Sequence, residues 1–253
     1  MTRILALWAV PRSTSTAFEW MMRVRGDFTC FHEPFGEVWY QGEEPDWPRL
    51  QPDSVRTAGL TYDSAWRDLQ AAADAGPVFL KEFPLLLERL WTDELLSHFT
   101  HSFLIRHPAK TVTSMFKRWP DFIPKETGFV EQRQLFDRVA DSAGAAPPVV
   151  DSDDLLGDPA SMVRAWCESV GISRLPAALS WDPGAREEVS WWDGGSFHQN
   201  LRDSDGLRPQ PRTSVDLADA PERVQEVVAD LLPHYEHLHA HRLTVDHQSI
   251  GDR

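Results

Sequence analysis

The chain has 253 residues and a formal charge of −14, from 39 Asp and Glu against 25 Lys and Arg. That excess of negative charge excludes a protein that grips nucleic acid or an anionic membrane by bulk electrostatics. With 42% hydrophobic and 25% charged residues, it is an ordinary globular composition, long enough to bury a sizeable core.

Residues 3–10 (RILALWAV) form a nearly unbroken apolar run, the pattern of a strand buried on both faces. Residues 11–15 follow as a polar loop, and 16–25 as a helix stopped at Gly26. Further strands are predicted at 28–31, 78–81, 102–105 and 148–150. Helices are predicted at 61–75, 110–118, 126–143, 159–170 and 221–239. This alternation predicts an α/β chain, a three-layer sandwich of P-loop type with a central parallel sheet of about five strands and helices on both faces. One domain over residues 1–253 is expected, with insertions around 35–60, 115–145 and 185–215. Cys30 and Cys167 are too few for a disulfide framework, which points to a reducing cytoplasm. No apolar run approaches the roughly 20 residues of a membrane span, and residues 4–10 are too short for a signal peptide.

The positive charge gathers in two islands. Residues 1–26 hold four arginines against one glutamate, a net of +3; residues 101–125 hold five basic residues against one aspartate, a net of +4. In the first, strand 3–10 runs into Pro11-Arg12-Ser13-Thr14-Ser15-Thr16 and then a helix. A helix N-terminus offers free N–H groups and a positive dipole end, and thus suits an anion such as phosphate. Arg12 adds a fixed fork of donors, and Ser13, Thr14, Ser15 and Thr16 supply four hydroxyls where an N-cap needs one. A Walker A loop requires glycines and a lysine that this segment lacks, which disfavours ATP or GTP hydrolysis. In the second island Arg106 ends a strand and Ser114 follows eight residues later, a pair able to share a phosphate if the loop brings them together.

These two segments resemble the phosphate-binding motifs of sulfotransferases that use 3′-phosphoadenosine-5′-phosphosulfate (PAPS), and of the bacterial small-molecule branch in particular. PRSTST is similar to the family's 5′-phosphosulfate loop, and Arg106 with Ser114 to its 3′-phosphate pair. The resemblance extends to FHEPF at residues 31–35, to residues 149–159, and more loosely to the region of Trp181, Trp191, His198, Ser204 and Gly206. It implies PAPS as co-substrate with 3′-phosphoadenosine-5′-phosphate (PAP) as product, and no metal. The chain also departs from the family. Phe83 stands where many cytosolic members carry a histidine base, and the loop cation is arginine with Thr14 or Ser15 in place of glycine. The C-terminal Arg-Lys-Gly triplet is missing, with Arg208 or Arg212 as candidate substitutes.

Sulfuryl transfer needs cations around the moving group and a base for the acceptor's proton. Arg12 suits the first role. Glu33, His32, Glu82 and Lys81 are candidates for the second. Glu33 is favoured, because it follows a short strand beside an apolar Pro-Phe pair and resembles a carboxylate base of bacterial relatives. Lys81 is expected to hold the transferring group or orient Glu33, with Glu82 on the opposite side of its strand. An aromatic acceptor pocket is expected from Phe35, Trp39, Tyr40 and Trp47, from Phe116, Trp119, Phe122 and Phe129, and from a lid of Trp191, Trp192 and Phe197, with core packing claiming about half of them. The acidic remainder predicts a neutral or cationic small-molecule acceptor, with no nucleic acid, no membrane and an oligomer left open. His234, His237 and His241 read as a solvated helix face rather than a metal site. Two other readings stay open: a small-molecule kinase, and a non-catalytic nucleotide binder.

Overall fold

Six consecutive apolar residues cannot leave one face in water, and strand β1 (Ile4–Ala9) is accordingly buried along its whole length. The computed structural model describes residues 4–48, 50–189 and 199–245. β1 is the middle of a five-stranded sheet with β2 (Thr29–His32), β3 (Val78–Glu82), β4 (Phe99–Ile105) and β5 (Val149–Asp151). The order is β2-β3-β1-β4-β5 and every pair is parallel. The helices in chain order are α1 (Ser15–Arg25), α2 (Pro34–Gln41), α3 (Tyr62–Ala75), α4 (Asp93–Ser97), α5 (Pro108–Arg118), α6 (Phe129–Ala143), α7 (Ser152–Gly157), α8 (Pro159–Val170), α9 (Gln199–Arg202) and α10 (Glu222–His239).

Side chains alternate across the sheet and build two cores. Ile4, Ala6 and Trp8 pack with Leu80 and Phe103 against α2, α3, α5, α6 and α10. Leu5, Leu7 and Ala9 pack with Phe79 and Leu104 against Phe18 and Met22 of α1 and Trp166 of α8. The predicted α/β sandwich is what forms.

Two predicted boundaries shift. β4 begins at Phe99, three residues early, because its polar residues find partners inside the fold. His101 Nδ1 accepts from Trp8 Nε1 at 2.9 Å, and Ser102 Oγ donates to Ala6 O at 2.8 Å. The predicted helix 126–143 is a 3₁₀ turn, Pro124–Thr127, followed after Gly128 by α6. Gly128 has φ 69° and breaks the helix there.

From β1 the chain crosses first to β2 and β3 and then to the other side, to β4 and β5. Such a switch opens a crevice beyond the strand ends, where α/β sheets bind ligands. Gln132 of α6 satisfies the diverging backbone there, donating through Nε2 to Trp8 O and Leu104 O, both at 3.0 Å.

Candidate active site

The segment leaving β1 is tied down by its neighbours. Ser13 Oγ donates back to Val10 O at 2.6 Å, and Arg106 Nη1 donates to Arg12 O at 2.5 Å. Ser152 Oγ bridges Ser13 O at 2.5 Å and Ile105 O at 2.9 Å. Held in this way, Arg12 and Thr14 adopt left-handed backbone, with φ 63° and 73°. A β-branched residue rarely tolerates that region, so Thr14 occupies the position where a glycine would sit without strain. Thr14 is also the N-cap of α1, yet its hydroxyl caps nothing. The plain N-cap reading therefore does not describe this loop. Ser13 also lines the cavity, and its buried hydroxyl donates to Val10 O, which braces the loop.

The second motif is joined to the first through Arg12. Ser114 Oγ accepts from Arg12 Nε at 3.0 Å, while Arg106 reaches the backbone of Arg12. Helix phase places Ser114 two turns into α5, where it faces the β1 loop. Arg106 is largely buried, and its Nε has no hydrogen-bond partner among the described residues. Burial lowers its pKa, opposed by Asp153 and Asp151. Four other island cations are engaged elsewhere: Arg23 with Glu19, Arg25 with Asp27, Lys110 with Asp153 and Lys125 with Glu88.

The third part comes from β2 and β3, whose register sets His32 beside Lys81. Glu33 follows with φ 46°, also left-handed, as the N-cap of α2. Its Oε1 is ion-paired with Lys81 Nζ, and both side chains are buried. Glu33 is thus held by Lys81. Lys81 also stands 4.5 Å over the Phe83 ring, where the family's histidine would lie. Glu82 points to the other side, as alternation predicts, and the base reading does not fit it. Its Oε2 accepts the N–H groups of Phe35 (2.9 Å) and Gly36 (3.3 Å), and its Oε1 that of Phe83 (2.8 Å). Burial and the neighbouring Glu33 raise its carboxyl to about 8. His32 turns Nδ1 away from the cavity to Glu19 Oε2, at 2.5 Å.

Arg12, Ser13, Thr14, Ser15, Thr16, Arg106, Glu33 and Lys81 all line one cavity of about 300 Å³. His32 and Ser114 sit behind that lining, each touching a residue within it. Arg12, Thr14 and Glu33 are the only non-glycine residues with positive φ among the described residues. Backbone strain of this kind, on the order of 1–3 kcal/mol each, persists where the surrounding structure over-determines it and concentrates at functional sites.

The remaining wall is apolar and aromatic. Trp39, Tyr40, Phe83, Leu86, Met115 and Trp119 line it, together with Glu126 and, from the third predicted insertion, Asn200 and Ser204. Several expected wall residues belong to the core instead: Phe35, Phe122 and Phe129 are buried there and Phe116 packs on it, while Trp47 meets the Tyr40 ring edge-on outside the cavity lining. Trp191, Trp192, Phe197 and His198 lie outside the described residues. Trp181 Nε1 donates to Ser204 Oγ at 3.1 Å, steadying the cavity edge. Arg208 binds Asp205 and Arg212 binds Asp154; neither lines the cavity. His237 pairs with Asp137 at 2.6 Å. Among the described residues, no group of three or more His, Cys, Asp or Glu is arranged to hold a metal ion, and no helix is long and apolar enough to cross a membrane.

A parallel sheet with an arginine-bearing loop at its switch point, beside a buried carboxylate and lysine, defines an α/β fold with a charged cavity beyond its strand ends. The chain belongs to the sulfotransferase domain family, whose model matches residues 2–241. It is 23% identical over 212 residues to the branched-chain-amino-acid aminotransferase-like protein 2 of Arabidopsis thaliana, covering 81% of this chain and 36% of that one. It is 24% identical over 191 residues to sulfotransferase ppzF of Metarhizium majus, covering 61% and 56% respectively. The chain thus spans little more than a third to just over half of these relatives. The solved sulfotransferase domain from the curacin biosynthetic pathway shares the fold with a TM-score of 0.50 and 11% identity, over 91% of this chain and 98% of that one.

Proposed function

We propose that this protein transfers a sulfuryl group from PAPS to a hydroxyl or amine of a small, neutral or cationic acceptor. The observation that carries this reading is the convergence on one cavity of Arg12, Arg106, Lys81 and Glu33, two of them on strained backbone. Three cations are what a donor with phosphates and a sulfate requires, and a carboxylate is what the acceptor's proton requires.

PAPS supplies the activated sulfuryl group when bound. Arg12 and the backbone of residues 13–16 hold its phosphosulfate end, and Arg106, steadied through Arg12 and Ser114, holds the 3′-phosphate. Glu33 takes the acceptor's proton. In the unliganded protein Lys81 holds Glu33, and a carboxylate held by an ammonium is a weak base. When Lys81 turns to the sulfuryl oxygens, it stabilises their charge and leaves Glu33 the stronger base. The aromatic wall of Trp39, Tyr40 and Trp119 takes the acceptor's apolar body, while Glu33 and Glu126 disfavour an anionic one. The predicted cytoplasmic setting agrees with PAPS as donor.

Isothermal titration with PAP, ATP and ADP tests the donor, followed by transfer assays with PAPS and matched neutral, cationic and carboxylated acceptors. Binding of PAP well ahead of ATP is expected, with turnover of the neutral or cationic acceptor. Preference for ATP overturns the donor assignment, and preference for the carboxylated acceptor overturns the acceptor class.

A further inference from the structure

Behind Glu33 lies a buried chain of charged groups that begins on α1. Glu19 is fully buried; its Oε1 accepts from Arg23 Nε at 2.8 Å, and its Oε2 lies 2.5 Å from His32 Nδ1. His32 Nε2 in turn lies 3.9 Å from Glu33 Oε1, the oxygen that Lys81 holds. The sequence Arg23–Glu19–His32–Glu33–Lys81 therefore runs from the outer side of α1 to the cavity, with one 3.9 Å step between His32 and Glu33. Glu37 of α2 also acts on His32 through its charge.

The protonation of the first link follows from the environment. Burial alone raises the Glu19 carboxyl, but its close contact with His32, then the charges of Arg23 and Lys81, outweigh burial and hold it at about 2. An ionised carboxylate only accepts hydrogen bonds, so the proton between Glu19 and His32 sits on Nδ1. Nε2 is then the ring atom presented to Glu33. A carboxylate that fixes the tautomer of a histidine beside the reacting groups is an established way of making that histidine a proton acceptor.

We propose that Glu19 is a positioning residue, which fixes His32 so that the proton Glu33 takes from the acceptor passes on to His32 Nε2. The proposal rests on the reading of Glu33 as base. The acceptor's O–H bond breaks and its electron pair forms the new O–S bond. The S–O bond to the donor phosphate breaks and its pair leaves with PAP. The proton goes to the Glu33 carboxylate and then, after side-chain rotation closes the 3.9 Å gap, to Nε2 of His32 in its Nδ1–H form. The Glu19 carboxylate stabilises the resulting imidazolium, and Glu33 is restored as a carboxylate.

Nitrogen-15 NMR of the His32 ring in the wild-type protein is the first test, and needs neither a variant nor turnover. The Nδ1–H tautomer is expected, and either the Nε2–H tautomer or a doubly protonated ring overturns the proposal. In Glu19→Gln the amide can donate to Nδ1, so the ring signals should move toward the Nε2–H pattern. Loss of an outer-shell partner of this kind predicts a fall in kcat of about 10–100-fold with PAP affinity within about twofold. Glu19→Asp should recover part of it. The decisive comparison repeats Glu19→Gln in a His32→Gln background, where the further loss should shrink to about twofold or less. An undiminished loss there, or His32 signals unchanged by Glu19→Gln, overturns the proposal. Full activity of Glu33→Gln instead overturns the base assignment, so the two failures are separable.

Discussion

Arg12 Nε donates to Ser114 Oγ across 3.0 Å, which joins the loop after β1 to the helix after β4. The two phosphate motifs are thus one unit, with Arg12 as its hinge, since Arg106 also holds the Arg12 carbonyl. A hydrogen bond to a charged group contributes about 1.5–3 kcal/mol, so Arg106→Ala should weaken PAP binding by about 10–150-fold. Ser114→Ala removes one neutral partner worth about 1 kcal/mol, and should cost about fivefold. Because Ser114 acts partly through Arg12, its loss should be smaller in an Arg12→Ala background. Calorimetric titration of the single and double variants measures each; strict additivity contradicts the shared unit.

Thr14 carries a strained backbone with φ 73° and gives no cap in return. Left-handed conformation costs an L-residue about 1–2 kcal/mol, and glycine's extra chain entropy offsets about 0.5–1 of that relief. Thr14→Gly should therefore stabilise the fold slightly, raising Tm by about 2 °C in a chain of this size. PAP affinity should hold within about twofold, because the anion is met by backbone N–H groups and Arg12. Calorimetric melting decides the first point, and a lowered Tm contradicts it.

Strand ends and helix starts were legible because apolar runs, prolines and glycines mark them directly: residues 3–10, Pro108 at the head of α5, and Gly26 and Gly171 behind α1 and α8. α2 was not, since FGEVWYQ shows no clean helical stripe and its N-terminus is capped from outside by Glu82. The same distance in sequence hid the site's inner connections. Ser114 reads as a partner of Arg106 by spacing, and only the loop conformation hands it to Arg12. Glu19 reads as one acid among arginines on a surface helix. Its burial depends on His32, thirteen residues away on the adjacent strand, and no local pattern records that pairing.

Glu33 and Lys81 are buried opposite charges in direct contact. As the base, Glu33 should lose about 10²–10⁴-fold in kcat on change to Gln, with PAP affinity within about twofold. Stability reports the pair separately. Lys81→Met leaves a buried carboxylate without its counter-charge, which typically costs about 3–5 kcal/mol. Adding Glu33→Gln to Lys81→Met should recover much of that loss. Urea unfolding of the two singles and the double measures the coupling, and independent effects contradict a pair that neutralises itself.

Glu82 makes stability depend on pH in a direction set by its environment. Its carboxyl is raised from 4.5 to about 8, first by burial and then by Glu33. Between those values the unfolded chain has released the proton and the folded chain still holds it, so stability declines as pH rises from about 5 to 8. Glu19 acts in the opposite sense, its lowered carboxyl removing stability as pH falls from 4.5 toward 2. Glu82→Gln cannot ionise. It keeps an oxygen for the N–H groups of Phe35 and Gly36 and loses the bond to Phe83, a pH-independent cost of about 1 kcal/mol. The variant should therefore gain on the wild type steadily from pH 5 to pH 8, by an amount on the order of a few kcal/mol. Urea unfolding across that range gives the difference directly, and parallel curves place the proton elsewhere.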